Sequence, residues 1–457
     1  NNAGSNGGGV YNGGTFKMSG TATVSNNTAD TNGGGVYNYG TTNMTGTATV
    51  SNNTATQGGG VFNSDGTFKM SDAAVIADNT ATDSGGGGSY GGGGVCNHQG
   101  TFEMSGGEIK NNKATNGHGG GVNNTTSSKA NPAKFTMTGG SITGNSASTT
   151  GGGVNNYYSQ FTMSGTAAIS NNTASGGGGV ENLQGTFNMY GGEIKNNKTT
   201  SSGGGVQNKR AFSRTDTIFN MYGGTISGNS SKYSGGGVHN DSSNASDSPT
   251  FNMYGGEIIG NTSGSSSYGG GVYNGRGIFT VSGDVKITGN VMGGTIETDG
   301  TLTGGTDNNV FISSQNYVIT IGTAGLGKNA SVGIYSSSEK NVVSGTTDTT
   351  GFFSDNAIYE LVANDNNGLK LQRLTKTHCV CGKTNCPDSE THGEAIEWKA
   401  WGGTTGLPSS AGNWYLMYDV TLSDIWNVSA DINLCLNGKT ITGVSGKDTI
   451  KVNSGVS

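Results

Sequence analysis

"GGGVYNGGTFKMSGTATVSNNTA" runs from residue 7 to 29, and "GGGVYNYGTTNMTGTATVSNNTA" from 33 to 55. Near-identical passages in succession, at a period of 20 to 50 residues, mark a solenoid, propeller or array. Aligned on the valine that closes GGGV, the chain holds ten copies, at Val10, Val36, Val61, Val95, Val122, Val154, Val180, Val206, Val238 and Val272. Their spacings are 26, 25, 34, 27, 32, 26, 26, 32 and 34 residues.

Three features recur in every copy. Two residues after the valine stands an asparagine: Asn12, Asn38, Asn63, Asn97, Asn124, Asn156, Asn182, Asn208, Asn240 and Asn274. A Phe-x-Met pair follows, with Thr42 the one replacement of Phe and Val281 the one replacement of Met. A second asparagine then comes three residues after a Val or Ile, from Asn27 to Asn290. Each copy thus contains three short extended pieces, and the apolar residues two apart within them have strand periodicity. Gly and Asn separate the pieces, and these residues reach the positive-φ backbone of tight corners at low cost.

Three strands with sharp corners wind into one coil of a parallel β-helix. Stacked coils place like residues on like, so inward Val, Phe, Met and Ile form columns and each coil buries its apolar side against its neighbour. The ten asparagines after GGGV are expected to bond amide to amide as a ladder. Parallel crossovers are right-handed in about 98% of cases, so the expected fold is an all-β, right-handed parallel β-helix of about ten three-strand coils. With strands about 4.8 Å apart, ten coils span roughly 45–50 Å.

Composition excludes other classes. The 457 residues include 87 Gly without a G-X-Y period, which excludes collagen. The recurring Val, Phe, Met and Ile set the chain apart from a disordered linker. A net charge of -6 without a basic patch argues against nucleic acid as a partner. No run of 18 apolar residues offers a membrane span. The opening "NNAGSNGGGV" matches the tail of a repeat such as "NNTADTNGGGV", which reads as a chain continuing at both ends into further parts of a longer polypeptide.

The pattern GGGVYN…FTMSGG.I..N.A, with the later "NNVFISSQNYVITIG", resembles the parallel β-helix repeats of large surface proteins from Gram-positive gut bacteria, within the wider pectin-lyase-like group. The resemblance covers residues 1 to about 345. It implies an extracellular, bacterial cell-surface or secreted location and an adhesin-like role, with glycans or host surface and secreted proteins as partners. The sequence divides into repeats over 1–299, a β cap over 300–375, a short Cys/His module over 376–400 and the start of a second β-helix-like domain over 401–457. "INLCLNGKTI" at 432–441 resembles the recurrent start of such a domain.

Candidate sites are few. Cys379, Cys381, Cys386 and His392 supply three thiolates and an imidazole, a set that zinc takes tetrahedrally. The same cysteines also suit an extracellular disulfide, such as Cys379 to Cys386, with one thiol spare. No cofactor is required, and a bound zinc would be structural. Tyr190, Tyr222 and Tyr254 follow the column methionines in consecutive coils and should stack outward, as should Tyr11, Tyr37 and Phe62 on another face. Tyrosine offers a rigid plate with a polar tip to sugars or proteins, though stacked aromatics are also favourable sheet-surface pairs without any ligand.

The corner after the first asparagine lengthens at 125–134, 209–218 and 241–250. Solenoids gather such insertions on one face, often the binding face. The middle insertion carries Lys209, Arg210 and Arg214, whose charge suits an acidic glycan or protein. The position after each GGGV is taken as outward-facing and includes Glu181 and His239 two coils apart. A polysaccharide lyase or glycoside hydrolase of this class would need a carboxylate and a base on adjacent coils, and a passive spacer would need neither. The sequence favours a non-enzymatic adhesin or stalk, with those two as its alternatives.

Overall fold

A computed structural model describes residues 1–82, 91–128, 130–210, 217–243, 248–266, 268–378 and 396–453. Its regular elements are all strands, and residues 1–335 wind into a right-handed parallel β-helix. The coil beginning at Val122 shows the pattern. Its strands Val122–Thr125, Lys134–Met137, Ser141–Thr143 and Ser146–Ala147 pair in parallel with the next coil, setting Val122 opposite Val154, Phe135 opposite Phe161, Ile142 opposite Ile169 and Ser146 opposite Thr173.

Each coil therefore has four strands where the sequence indicates three. The fourth, a Thr-Ala type dipeptide after the second asparagine, is too short to carry a periodic signal. It still has an inward residue, and Ala114, Ala147 and Ala174 pack on one another in a buried line.

Columns of Val, Phe, Met and Ile fill the interior beside that alanine line. The Phe column is unbroken from Phe68 to Phe279, with successive ring centroids 4.7–5.1 Å apart, the pitch of the coils themselves. Each fully buried Phe or Met contributes on the order of 1.5–3 kcal/mol. Thr42, which interrupts the column, is also buried, and its hydroxyl donates to Asn38 Oδ1 at 2.8 Å.

Two asparagine ladders run through the coil corners. In the outer one, Asn12, Asn38, Asn63, Asn97, Asn124, Asn156, Asn182, Asn208, Asn240 and Asn274 each pass an Nδ2–H to the next Oδ1 at 2.6–2.8 Å. In the inner one, from Asn27 to Asn309, each Oδ1 accepts from both the backbone N–H and the Nδ2 of the preceding asparagine, as Asn145 does from Asn112 at 2.9 and 3.0 Å. All ten outer-ladder and eleven inner-ladder asparagines are buried, so the amides replace the water those corners exclude.

The glycines of GGGV have separate jobs, seen at Gly119, Gly120 and Gly121. Gly119 turns with φ +65°; a Cβ on Gly120 would stand 2.5 Å from the Gly152 carbonyl oxygen, and one on Gly121 would stand 2.7 Å from that of Gly153. The first is needed for conformation, the other two for close approach of successive coils. The residue before each inner-ladder asparagine in the ten repeats is Asn, Asp or Gly, and every one has φ between 53° and 65°.

The stack continues beyond Asn290. Val310, Ile319 and Val332 pair in parallel with Val272, Phe279 and Ile287. Their repeat is hard to read because "TDNNV" replaces GGGV and a long excursion over 291–309 precedes it.

The second compact unit consists of 336–341, 356–364 and the chain from Leu369 onward. There Gly412, Val420 and Trp426 pair in parallel with Ile432, Ile441 and Ile450, a winding with a period of 20 to 24 residues. Leu407, Leu416, Val420 and Leu422 form its core.

Candidate functional site

A cleft of about 690 Å³ lies on the sheet of fourth strands of the β-helix. Its floor follows from register: Lys198 aligns with Ser230, and Ser230 with Thr262, on three consecutive coils. Asn196 and Asn171, held at φ 55°, form one rim with Gly228. Opposite stands a β-hairpin in which Thr295–Ile296 pairs antiparallel with Leu302–Thr303.

The hairpin is fixed at its base. The Thr262 hydroxyl donates to the Gly294 carbonyl at 3.1 Å and accepts the Gly294 N–H at 3.1 Å. From there the hairpin leans back along the rod until its tip, Gly300, lies beside the Asn196 amide, three coils earlier. The cleft is thus partly roofed. Its lining side chains are almost all hydroxyls and amides, with Lys198, Lys232 and Glu297 as the charged groups and Ile296 as the apolar one. Such a surface suits a ligand rich in hydroxyls, and the volume is that of an ordinary ligand site.

Within the hairpin the carboxylates are engaged. Glu297 Oε1 accepts the Thr303 hydroxyl at 2.8 Å. Asp299 Oδ1 accepts the Thr301 N–H at 2.9 Å, and hydrogen bonding from Thr301 holds the Asp299 carboxyl below its usual range. Lys232 places its ammonium 5.5 Å from the Tyr233 ring, which is half-exposed.

Tyr190, Tyr222 and Tyr254 lie on a different sheet and stack, with centroids 4.7 and 5.0 Å apart. They are 54%, 43% and 39% exposed. Because each ring lies against the next, the row presents edges and hydroxyls outward, and its ring faces are free only at the ends. Burial, and then its two neighbours, push the Tyr222 hydroxyl pKa up. Asn188, Asn220 and Asn252 form a further amide ladder alongside, with bonds of 2.9 Å. The row of Tyr11, Tyr37 and Phe62 stacks similarly and is joined by His98.

The column after GGGV corrects an expectation. Although it points away from the apolar core, Cys96, Asn123, Asn155, Glu181, Gln207 and His239 are all buried. The glycine turns of neighbouring segments cover them; a Cβ on Gly177 would meet Glu181 Oε2 at 2.8 Å and one on Gly235 would meet His239 Cβ at 2.7 Å. Glu181 Oε2 and His239 Nδ1 have no hydrogen-bond partner among the described residues. Burial pushes the Glu181 carboxyl up to about 8, against the opposing charge of Lys209. It pushes the His239 imidazole down to about 4, against Asp241 and with help from Lys209 and Arg276. Tyr273 stacks on His239 at 5.1 Å.

Lys209 and Arg210 belong to the strand Val206–Arg210, and Lys209 stands in register with Asp241. Asp241 is clasped by Arg276, whose Nε and Nη2 donate to its two oxygens at 3.0 and 3.3 Å. The tyrosine row and this charged group lie on separate sheets and form no common site. Arg214, Cys379, Cys381, Cys386 and His392 lie outside the described residues.

The cleft was not singled out from sequence, because its floor comes from the unrecognised fourth strands. One signal was present: Asp299-Gly300 between "TIET" and "TLT" is a strong short-range hairpin mark. No protein-family model matches this chain, and comparison with curated proteins and with solved structures gives no match.

Proposed function

We propose that this chain is part of a bacterial cell-surface or secreted binding protein: a rigid, non-enzymatic β-helical stalk or adhesin that holds glycans, or glycosylated host proteins, in the cleft beneath the 295–303 hairpin. The observation that carries this reading is the lining of that cleft, hydroxyls and amides on three consecutive coils under a pinned hairpin. Amides and hydroxyls at fixed spacing on rigid elements match the dense donors and acceptors of a saccharide with little ordering cost. The ladders and apolar columns supply that rigidity.

The resemblance to repeats of Gram-positive surface proteins in the pectin-lyase-like group supports the location and the role. Fold-level likeness alone does not assign function, so the weight rests on the cleft. No cofactor takes part in this reading. If Cys379, Cys381, Cys386 and His392 hold zinc, it serves as a structural joint. The competing reading, an enzyme acting on polysaccharide, needs a carboxylate and a base that reach substrate together; against it, Glu181 and His239 are buried and the cleft's own Glu297 is bonded to the Thr303 hydroxyl.

The test incubates the whole chain with a panel of polysaccharides, mucin and serum proteins, following retention and release of sugar ends together. Retention without release, lost in Ser230→Trp, is the expected result. Release of sugar ends would overturn the reading in favour of the enzyme, and no retention on any surface would leave a passive spacer.

A further inference from the structure

We propose that the cleft beneath the 295–303 hairpin selects an anionic saccharide, with Lys198 and Lys232 taking its carboxylate or sulfate. This rests on the glycan-binding reading above and adds the charge of the ligand.

The argument is one of unpaired charge in a shaped place. Elsewhere on the β-helix, four lysines pair with neighbouring carboxylates, Lys69–Glu103, Lys110–Glu108, Lys195–Glu193 and Lys286–Glu257. Lys198 and Lys232 have no such partner among the described residues, although the cleft they line also holds Glu297. The hairpin's acids are instead turned to the hairpin's own donors, Glu297 to the Thr303 hydroxyl and Asp299 to the Thr301 N–H. Lys198 and Lys232 therefore bring two ammonium groups without a carboxylate partner to a partly roofed space whose acids are engaged, the Lys232 ammonium lying 5.5 Å from the half-exposed Tyr233 ring.

Their placement fits one charged sugar unit. Lys198 is opposite Ser230, and Lys232 lies two residues beyond Ser230 on the same strand path. By strand geometry their Cα atoms are roughly 8 Å apart, so two long side chains can converge on a single anionic group. Ser230, Thr200 and the Asn196 amide border the same floor and can bond the unit's hydroxyls. Hydrogen bonds from ammonium to carboxylate or sulfate are stronger than neutral ones, and partial exclusion of water by the roof strengthens them further.

The test compares three polymers on one backbone, neutral dextran, carboxymethyl-dextran and dextran sulfate, for equilibrium binding to the full chain at low and at high salt. One or both charged polymers should bind at least tenfold tighter than dextran, with an advantage that shrinks as salt rises. Lys198→Gln and Lys232→Gln should each reduce that advantage several-fold without moving the melting temperature. Equal binding of neutral dextran, unchanged in the lysine variants, would overturn the charge inference while leaving the cleft reading intact. Charged-polymer binding that survives Ser230→Trp would overturn it too, by placing recognition elsewhere on the surface. The glycan reading fails separately, when Ser230→Trp leaves retention on the whole glycan panel unchanged.

Discussion

Asp355 closes the inner asparagine ladder by accepting from Asn309 twice, the backbone N–H at 2.6 Å and Nδ2–H at 2.7 Å. Every amide of that ladder donates toward the C-terminal end of the β-helix, from Asn27 to Asn53 through to Asn290 to Asn309. Aligned amides present partial positive charge where their last N–H groups emerge, as at a helix N-terminus, and an acceptor carboxylate is favourable there. Gly333 makes room for this cap, since a Cβ there would stand 2.5 Å from Asn309 Nδ2.

Asp355→Asn should therefore remove one bond at the end of the β-helix and, above pH 6, also the cost of a buried charge. The amide offers one acceptor oxygen where the carboxylate offers two, so one Asn309 donor loses its partner at about 1–3 kcal/mol. The pH dependence tests the same group. Burial raises the Asp355 carboxyl from 3.8 to about 6 against its two donors. A raised folded value means its contribution is complete below pH 3.8 and is lost as pH rises through 6, about 3 kcal/mol in all. Urea unfolding of wild type should show that slope and the asparagine variant should lack it; equal slopes would sink the assignment.

Glu181 gives a second pH signature on the same principle and in a higher window. Its carboxyl is raised from 4.5 to about 8 by burial, so its stability contribution is full below pH 4.5 and gone above pH 8. The loss is of order 5 kcal/mol. Glu181→Gln should remove that slope and leave a chain more stable than wild type at pH 9. His239 works in the opposite sense: lowered from 6.5 to about 4, it contributes above pH 6.5 and loses that contribution as pH falls through 4. Melting temperatures of Glu181→Gln and His239→Gln from pH 3 to 9 should flatten opposite limbs of the curve.

Glu181 also shows where the sequence stopped being legible. Strand alternation correctly places it on the face away from Val180 and Asn182, both inward. Alternation cannot report that the glycine turns fold back over that face, because the covering arises from contacts between coils. The coil and its columns were readable because like residues stack on like, so ten copies repeat one packing problem. The cleft was not, because Lys198, Ser230 and Thr262 share no residue type and meet only through register. Its roof comes from the one excursion, 291–309, that breaks the period.

Gly121→Ala should be costly and Gly13→Ala nearly silent. A Cβ on Gly121 would stand 2.7 Å from the Gly153 carbonyl oxygen and 2.7 Å from Ile142 Cγ2, and neither backbone nor buried column can retreat without parting two coils. Overpacking of this kind costs about 1–3 kcal/mol. Gly13 has no atom within 4 Å of the added carbon, and exposed sites of that sort move stability by about 0.5 kcal/mol or less. Urea midpoints of the two variants, measured side by side, check the difference. Equal midpoints would mean that close approach is not why GGGV repeats.

Asn145→Asp tests whether the inner ladder depends on its donors as much as its acceptors. Asn145 Oδ1 accepts twice from Asn112, at 2.9 and 3.0 Å, and a carboxylate preserves both bonds. Asn145 Nδ2 donates to the Ile109 carbonyl at 2.9 Å, the Thr143 carbonyl at 3.1 Å and Asn172 Oδ1 at 3.0 Å. In the aspartate variant an oxygen faces those three acceptors in a fully buried place. A buried charge with no compensating ion, one of its oxygens facing acceptors, costs about 3–5 kcal/mol. The carboxyl will be forced toward its protonated form, which restores one donor, so the loss should be largest at pH 7 and shrink as the solution is acidified toward pH 4. Urea unfolding at both values checks this. A loss of the same size at both would show that shape, and not the donated bonds, sets the register of the ladder.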